Sequence, residues 1–332
     1  MTGNDPLSAA PDGDSARRRI PSWVSPLVRT AVTAGLMAYA VRGVEWTKVG
    51  QQFASGQWGW WIAGIVGSAA VQAVAGMRWA ALARPLGFDR PRRFFIWRFF
   101  EGMFFNLCLP SAIGGDVVKA YRVGDSTSRR LLAGCSILAD RLTGLAALGV
   151  LTVTALAASR TSLSPLSVAA VGTAVLAAVL AGFWVGTRCL DRILGLLPAE
   201  HAARQFIARL LPYQERPMLL VNAIGWSFVV QMGGALVVGL MARTVGVELG
   251  PVVWFTVVPL VALLTVLPVS IGGMGVRETV VQSLLAQYYG VSPDKGFAVG
   301  LLWSLSTVVI GLLGGILFVV DRKPAGCTAE PS

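Results

Sequence analysis

Long apolar segments recur along the chain and restrict it to folds that a lipid bilayer can accommodate. A helix needs about 20 mostly apolar residues to cross about 30 Å of hydrocarbon. Five segments are that long, at 58–83, 131–158, 163–187, 218–242 and 296–320. Charged residues make up only 14% of the chain, against about a quarter of a typical soluble domain. The sequence therefore predicts an all-α, polytopic integral membrane protein.

The formal net charge of +11 has to be interpreted through the positions of the basic residues. Lys and Arg flank the apolar segments and form no single soluble face, so anionic lipid headgroups explain them better than nucleic acid does. The four cysteines have neither CxxC spacing nor a nearby histidine pair, so we expect no metal site. Nucleotide-binding, zinc-protease and serine-hydrolase motifs are absent from the sequence, so we expect no cofactor, no catalytic residue and no enzyme activity.

One motif occurs twice, nearly half the chain apart. Residues 109–119 and 267–277 share the pattern L-P-x-x-I-G-G-x-x-V-[KR]. A match of this length without gaps indicates an internal duplication.

Each copy of the motif interrupts an apolar stretch of about 16 residues, which is short for a full crossing. Proline removes a helix hydrogen bond, and paired glycines permit a sharp turn. We therefore predict two re-entrant helical hairpins, at 94–126 and 251–289. The Pro, Gly and Ser residues of the two predicted turns are Pro110, Gly114, Gly115, Pro268, Ser270, Gly272, Gly273 and Gly275.

The positive-inside rule distinguishes between the possible topologies. Hairpins at both motifs place most of the 28 Lys and Arg residues, and both termini, on the cytoplasmic side. A full crossing at 94–109 would instead move the basic clusters at 119–130 and 188–216 outside. The favoured topology has six full spans, at 27–43, 58–83, 131–158, 163–187, 218–242 and 296–320.

The halves of this topology are inverted relative to each other, because each contains three spans and one hairpin. Inverted repeats with broken helices are typical of secondary transporters, whose binding sites lie near the membrane midplane. The predicted units are a disordered cytoplasmic tail at 1–25, a first repeat at 26–158, a second repeat at 159–320 and a cytoplasmic tail at 321–332. Within the second repeat, 189–215 is predicted to be an amphipathic connector at the cytoplasmic interface.

Ionisable side chains inside a bilayer are costly and therefore suggest a functional site. Lys119 and Arg277 occupy matching positions of the repeat, about one turn into each returning helix. The free amides of a helix N-terminus after a Gly-Gly turn suit a phosphate. We therefore expect the two cations to bind an anionic or zwitterionic lipid headgroup. The other polar members of the candidate site are Asn106, Asp116, Asp140, Arg141 and Glu278.

Other roles for these residues stay open. The Pro and Gly residues are also explained if they only shape the hairpins. Asp116 and Glu278 either neutralise or orient the cations, as structural ion pairs do, or titrate as a proton-coupling pair. Asp140 and Arg141 are neighbours on a helix and point in different directions, so they should have separate partners.

Three stretches, 106–116, 140–144 and 267–278, resemble the lysylphosphatidylglycerol synthase transmembrane family, also called the flippase-like family. The resemblance covers about residues 26–320. In bifunctional members this domain flips lysyl-phosphatidylglycerol and a cytosolic domain makes it; we expect the present chain to lack that synthetic domain. Family members often have Arg where this chain has Lys119, and an ammonium holds phosphate less rigidly than a guanidinium does.

The resemblance implies a lipid translocase in the cell (inner) membrane, which moves a phosphate-containing headgroup past the two hairpins. The alternative is a non-transporting scaffold or accessory subunit of a lipid- or glycolipid-modifying enzyme. A lipid-synthesising enzyme is therefore a possible partner. The sequence leaves open which lipid is bound, the direction and ion coupling of transport, and the oligomeric state.

Overall fold

The computed structural model of the protein describes residues 24–41, 44–109, 114–158, 208–266 and 273–321, with the single positions 177 and 181. Every regular element in these ranges is helical, so the predicted all-α class is confirmed. The predicted segments that fall wholly or mostly outside the described residues are the two tails, the span 163–187 and the connector 189–215.

The helices have the following bounds. In the first predicted repeat they are α1 (Val24–Val41), α2 (Trp46–Ala54), α3 (Trp58–Ala83), α4 (Arg92–Cys108), α5 (Gly114–Val123) and α6 (Thr127–Ala158), with a 3-10 turn at Arg84–Leu86. In the described part of the second repeat they are α7 (Leu211–Glu215), α8 (Met218–Arg243), α9 (Pro251–Val266), α10 (Val276–Tyr289) and α11 (Pro293–Val320).

Four segments are long and apolar enough to cross a membrane, namely Trp58–Leu86, Thr127–Ala155, Met218–Arg243 and Pro293–Val320. They coincide with four of the predicted spans, so a multi-pass membrane protein is confirmed. Helix α1, which we expected to be the first span, has 18 residues and is not among these four. The count of six spans therefore stays a prediction. Helix α9 is apolar but has only 16 residues, which is short for a full crossing.

The helices on either side of each motif pack against each other. An ideal Cβ on Gly115 of α5 would lie 2.0 Å from the carbonyl oxygen of Gly102 in α4, so these two backbones are in close approach. Helices α9 and α10 share a buried apolar cluster that contains Val257, Val261, Val281 and Leu285. Contact between the two arms is what a helical hairpin requires.

Helix α11 connects the two halves, because it packs against both α4 and α10. It therefore contacts one arm of each predicted hairpin. Its Ala298, Val299 and Leu302 are fully buried in the same cluster as α9 and α10. A second cluster is built around Trp79 and Phe95, from α3 and α4. This second cluster also contains Tyr213, Leu220 and Ala223 of α7 and α8, so it crosses the predicted repeat boundary.

Helix α2 was missed by the sequence analysis, which assigned no element between the spans 27–43 and 58–83. Val49 is its one buried residue and packs with Ala40, Val44 and Phe297. The backbone N–H of Glu45, just before the helix, donates to Asp294 Oδ1 of α11 at 2.9 Å. Trp46, Val49 and Phe53 follow the three- and four-residue spacing of one helix face, and packing against α1 and α11 holds this short helix in place.

Candidate functional site

Four of the predicted site residues, Pro110, Pro268, Ser270 and Gly272, lie in the segments 110–113 and 267–272, outside the described residues. The other predicted residues are described. Gly273 and Gly275 have φ angles of 78° and 82°, a left-handed conformation that favours glycine. Gly114 and Gly115 have no positive φ, so the turn chemistry predicted for both motifs is seen directly only in the second.

The amides at the starts of the two returning helices are partly occupied by protein groups. Asn106 Oδ1 accepts a hydrogen bond from the Gly115 N–H at 2.9 Å. Glu278 Oε2 accepts one from the Gly275 N–H at 2.6 Å, as the acidic residue of a capping box does. The expectation that these helix termini offer free donors to phosphate was therefore too simple, because each has already gained one acceptor from the chain.

Asp116 is shared by two cations at the first motif. Its Oδ1 lies 2.7 Å from Lys119 Nζ, an ion pair without hydrogen-bond geometry, and its Oδ2 accepts a short hydrogen bond from Arg141 Nε. Asp116 and Lys119 are both more than nine-tenths buried. The Lys119 ammonium also lies 4.9 Å from the Phe99 ring centre and 5.4 Å from that of Trp79. Lys119 is therefore charge-balanced and enclosed by aromatic rings.

Asp140 has a separate partner, as expected for the neighbour of Arg141. The Arg78 guanidinium donates from Nε to Asp140 Oδ1 at 2.7 Å and from Nη2 to Oδ2 at 3.0 Å. Its Nη1 donates to Ser227 Oγ at 2.7 Å. Both members of this ion pair are 7% exposed. The pair joins α3, α6 and α8, so Asp140 has a structural partner that the sequence analysis did not identify.

Arg277 differs from Lys119, although they occupy matching repeat positions. Its Nη1 donates to Ser304 Oγ at 3.3 Å and to Thr307 Oγ1 at 3.1 Å, both on α11. Its guanidinium carbon lies 4.7 Å from the Trp303 ring centre, a cation–π contact. Arg277 is 9% exposed, and its buried Nε has no hydrogen-bond partner.

Glu278 forms no direct ion pair with Arg277, although its negative charge lies close enough to favour the charged guanidinium. Its carboxylate is fully buried and accepts from the Gly275 N–H and, in a short hydrogen bond, from the Ser304 hydroxyl. Among the described residues, Arg277 forms no ion pair with any carboxylate. The second motif therefore holds a buried cation whose local partners are hydroxyls and an aromatic ring.

The two cations have separate surroundings. Helix α5 packs against α4 and α6, whereas α10 packs against α1, α9 and α11. The contacts of Lys119 (Asp116, Phe99 and Trp79) and those of Arg277 (Ser304, Thr307 and Trp303) have no residue in common.

A third polar cluster, missed by the sequence analysis, joins α4 and α5 to the end of α11. Arg98 Nη1 donates to Glu101 at 2.5 Å and Arg98 Nη2 donates to Asp321 at 2.5 Å. Arg122 also contacts Glu101, at 3.4 Å, and Asp321, at 3.1 Å. Asp321, the first residue of the predicted cytoplasmic tail, thus has two basic partners in this cluster.

In the part of the chain that the structure describes, no group of three His, Cys, Asp or Glu side chains is arranged to hold a metal ion.

The sequence model of one protein family, described as the lysylphosphatidylglycerol synthase TM region, matches residues 27–315. No curated protein matches the chain in sequence.

Proposed function

The chain belongs to the lysylphosphatidylglycerol synthase transmembrane-region family, and from that premise we propose that it is a lipid translocase. The lipid would carry an anionic or zwitterionic headgroup that contains phosphate. Family membership supports a lipid-related role in a membrane, and the four apolar helices support a multi-pass protein. The transport step, the site and the non-enzymatic character are our inference.

The proposed architecture is six spans and two re-entrant hairpins that enter from opposite sides of the inner membrane, with both termini cytoplasmic. Close contact between α4 and α5, and between α9 and α10, supports a reversal of the chain at each motif. The short length of α9 and the asymmetric distribution of Lys and Arg support re-entry over full crossing. Broken helices in inverted repeats are a recurring basis for alternating access.

Arg277 is the observation that carries the proposal. A cation in a membrane segment is costly unless an anion compensates it, and the described carboxylates leave this guanidinium without an ion pair. Nη1 is used by Ser304 and Thr307, whereas Nε has no partner. Glu278 acts on this guanidinium only at a distance, so a phosphate oxygen would supply a direct ion-pair partner and a strong acceptor, since charge-assisted hydrogen bonds to guanidinium are the strong ones.

Lys119 would act differently from Arg277 in this scheme. Its ammonium is paired with Asp116 in the present conformation, so it becomes available to a headgroup only after leaving that carboxylate. Asp116 would then keep its second cation, Arg141, and would not be stranded. The first motif would therefore have two states: one in which Lys119 pairs with Asp116, and one in which Lys119 binds a lipid phosphate.

The experiment that tests this proposal measures lipid flux in vesicles whose only protein is the purified chain. A panel of lipids with phosphate-containing headgroups, anionic and zwitterionic, is compared with protein-free vesicles. A translocase on its own accelerates transbilayer movement of at least one of them. A scaffold or accessory subunit leaves every rate at the protein-free value, and that result would refute the proposal. No nucleotide is added, because the sequence contains no nucleotide-binding motif.

A further inference from the structure

A basic and aromatic groove lies at the junction of the start of α4 and the end of α11, away from both motifs. Its volume is about 370 Å³, within the usual range of small-molecule sites. The side chains that line it include Arg90, Arg93, Phe94, Trp97, Arg98 and Asp321. Residues 93, 94, 97 and 98 recur at the three- and four-residue spacing of one helix face, so α4 forms one wall, Arg90 lies just before its start, and the end of α11 forms another wall.

The groove has more positive charge than its own carboxylate can balance. Asp321 is held by Arg98, and also by Arg122 from α5. Arg90 and Arg93 are exposed, and neither forms an ion pair among the described residues. The buried Nε of Arg98 is likewise without a hydrogen-bond partner. An anion in the groove would therefore meet two uncompensated guanidinium groups.

One aromatic ring, that of Phe94, contacts two of the three arginines in the groove. The guanidinium carbons of Arg90 and Arg98 lie 5.8 Å and 4.9 Å from the centre of the same Phe94 ring. Such stacking leaves the edges of a guanidinium group available to phosphate oxygens, which it binds in a fork. Trp97 is 41% exposed at the rim, and tryptophan is enriched where membrane meets water.

Apolar surface leads away from the groove along α11. Ile316, Val319 and Val320, the last apolar positions before Asp321, are each 60% exposed or more. Because α11 is one of the four apolar helices long enough to span a membrane, this surface faces lipid chains. A phosphate in the groove would sit where such chains end, so a lipid fits the groove and its surroundings better than a free ion does.

We propose that this groove is a binding site for the phosphate of an anionic membrane phospholipid, distinct from the proposed transport site. The headgroup phosphate contacts Arg90 and Arg93, and the acyl chains lie against the exposed end of α11. Since Asp321 in the same groove ties α11 to α4 and α5, a bound lipid would stand at the junction of these three helices.

The test is lipid binding to the full-length chain in detergent, measured by native mass spectrometry with phosphatidylglycerol and phosphatidylcholine of identical acyl chains. Arg90→Gln with Arg93→Gln removes the two unpaired cations. The matched control is Arg92→Gln with Arg216→Gln, which removes two exposed arginines that do not line the groove. Inorganic phosphate is titrated as a separate probe of a headgroup-free anion.

We expect the natural chain and the control to bind phosphatidylglycerol preferentially, and the groove variant to bind it about tenfold more weakly, as loss of charge-assisted contacts implies. Equal loss in the control, or no preference between the lipids, would refute the assignment. Phosphate binding that depends on Arg90 and Arg93 without any lipid preference would make this a site for free anions, which also overturns it. Both double variants keep Lys119 and Arg277, so a negative result here leaves the transport proposal standing.

Discussion

Removal of the Asp140 carboxylate should destabilise the protein strongly, because it leaves a buried guanidinium without its charge partner. Asp140 accepts two hydrogen bonds from Arg78, at 2.7 Å and 3.0 Å, and both side chains are 7% exposed. After Asp140→Asn, the remaining strong partner of Arg78 is the Ser227 hydroxyl. Breaking a buried ion pair in this way costs about 3–5 kcal/mol, which corresponds to a fall in Tm on the order of 10 °C.

The assay is thermal unfolding in detergent, with two comparisons. Asp125→Asn breaks an exposed pair with Arg129, whose side chains are 42% and 79% exposed, and should cost less than about 1 kcal/mol. Arg78→Met with Asp140→Leu removes both charges, and Ser227 stays satisfied because its hydroxyl donates to the Ala223 carbonyl. This double variant should recover most of the lost stability. If Asp140→Asn unfolds at the same temperature as Asp125→Asn, the ion pair does not have the structural role assigned to it.

Two further predictions concern the hairpins. Gly115→Ala should lower the stability by about 1–3 kcal/mol through overpacking, because its Cβ would lie 2.0 Å from the Gly102 carbonyl oxygen. The control Gly134→Ala, whose added Cβ has no atom within 4 Å, should not lower the stability. Equal Tm values of the two variants in detergent would show that α4 and α5 are not closely packed. Single cysteines at 126 and 161, in a chain whose own cysteines are replaced, should react from the cytoplasmic and the outer side respectively, and outer labelling of 126 in intact cells would rule out the first hairpin.

Much of the fold was predictable because the bilayer imposes a simple length and hydropathy rule. Four predicted spans coincide with apolar helices, and each motif stands between two helices that pack together. Helix α2 was not predicted, although its apolar residues Trp46, Val49 and Phe53 follow the spacing of one helix face. With only nine residues, it is too short to be stable alone and depends on tertiary contacts.

The sequence selected the candidate site residues but not most of the partners that the structure gives them. The repeat singled out Lys119 and Arg277, and helix geometry correctly separated the partners of Asp140 and Arg141. That Arg78 pairs with Asp140 depends on how α3 packs against α6, which no local spacing encodes. Ser304 and Thr307 were missed because hydroxyls are common in apolar helices and become conspicuous only when a buried cation lies beside them.

The contacts of Asp321 could not be predicted from the sequence. Asp321 follows the last apolar helix and is the first residue of the predicted cytoplasmic tail. Its carboxylate contacts Arg98 and Arg122, more than 190 positions earlier in the sequence. A single charge at a helix end carries too little information to predict such a contact.

The central claim, that Arg277 binds a lipid phosphate during transport, is tested most directly by flux through vesicles that contain Arg277→Gln. The control is Arg243→Gln, an exposed arginine that also lies over a tryptophan ring, Trp60, at 5.0 Å. Arg277 has no ion pair with a described carboxylate, and Glu278 keeps its acceptor roles toward Gly275 and Ser304, so the Gln variant should fold normally.

We expect Arg277→Gln to have the same Tm and the same amount of protein in the membrane as the natural chain. Its lipid flux should be lower by roughly ten- to a hundredfold, because a lost charge-assisted hydrogen bond costs about 1.5–3 kcal/mol. Arg243→Gln should transport at the natural rate. Unchanged flux in Arg277→Gln, or loss of flux that only follows loss of folded protein, would contradict the claim.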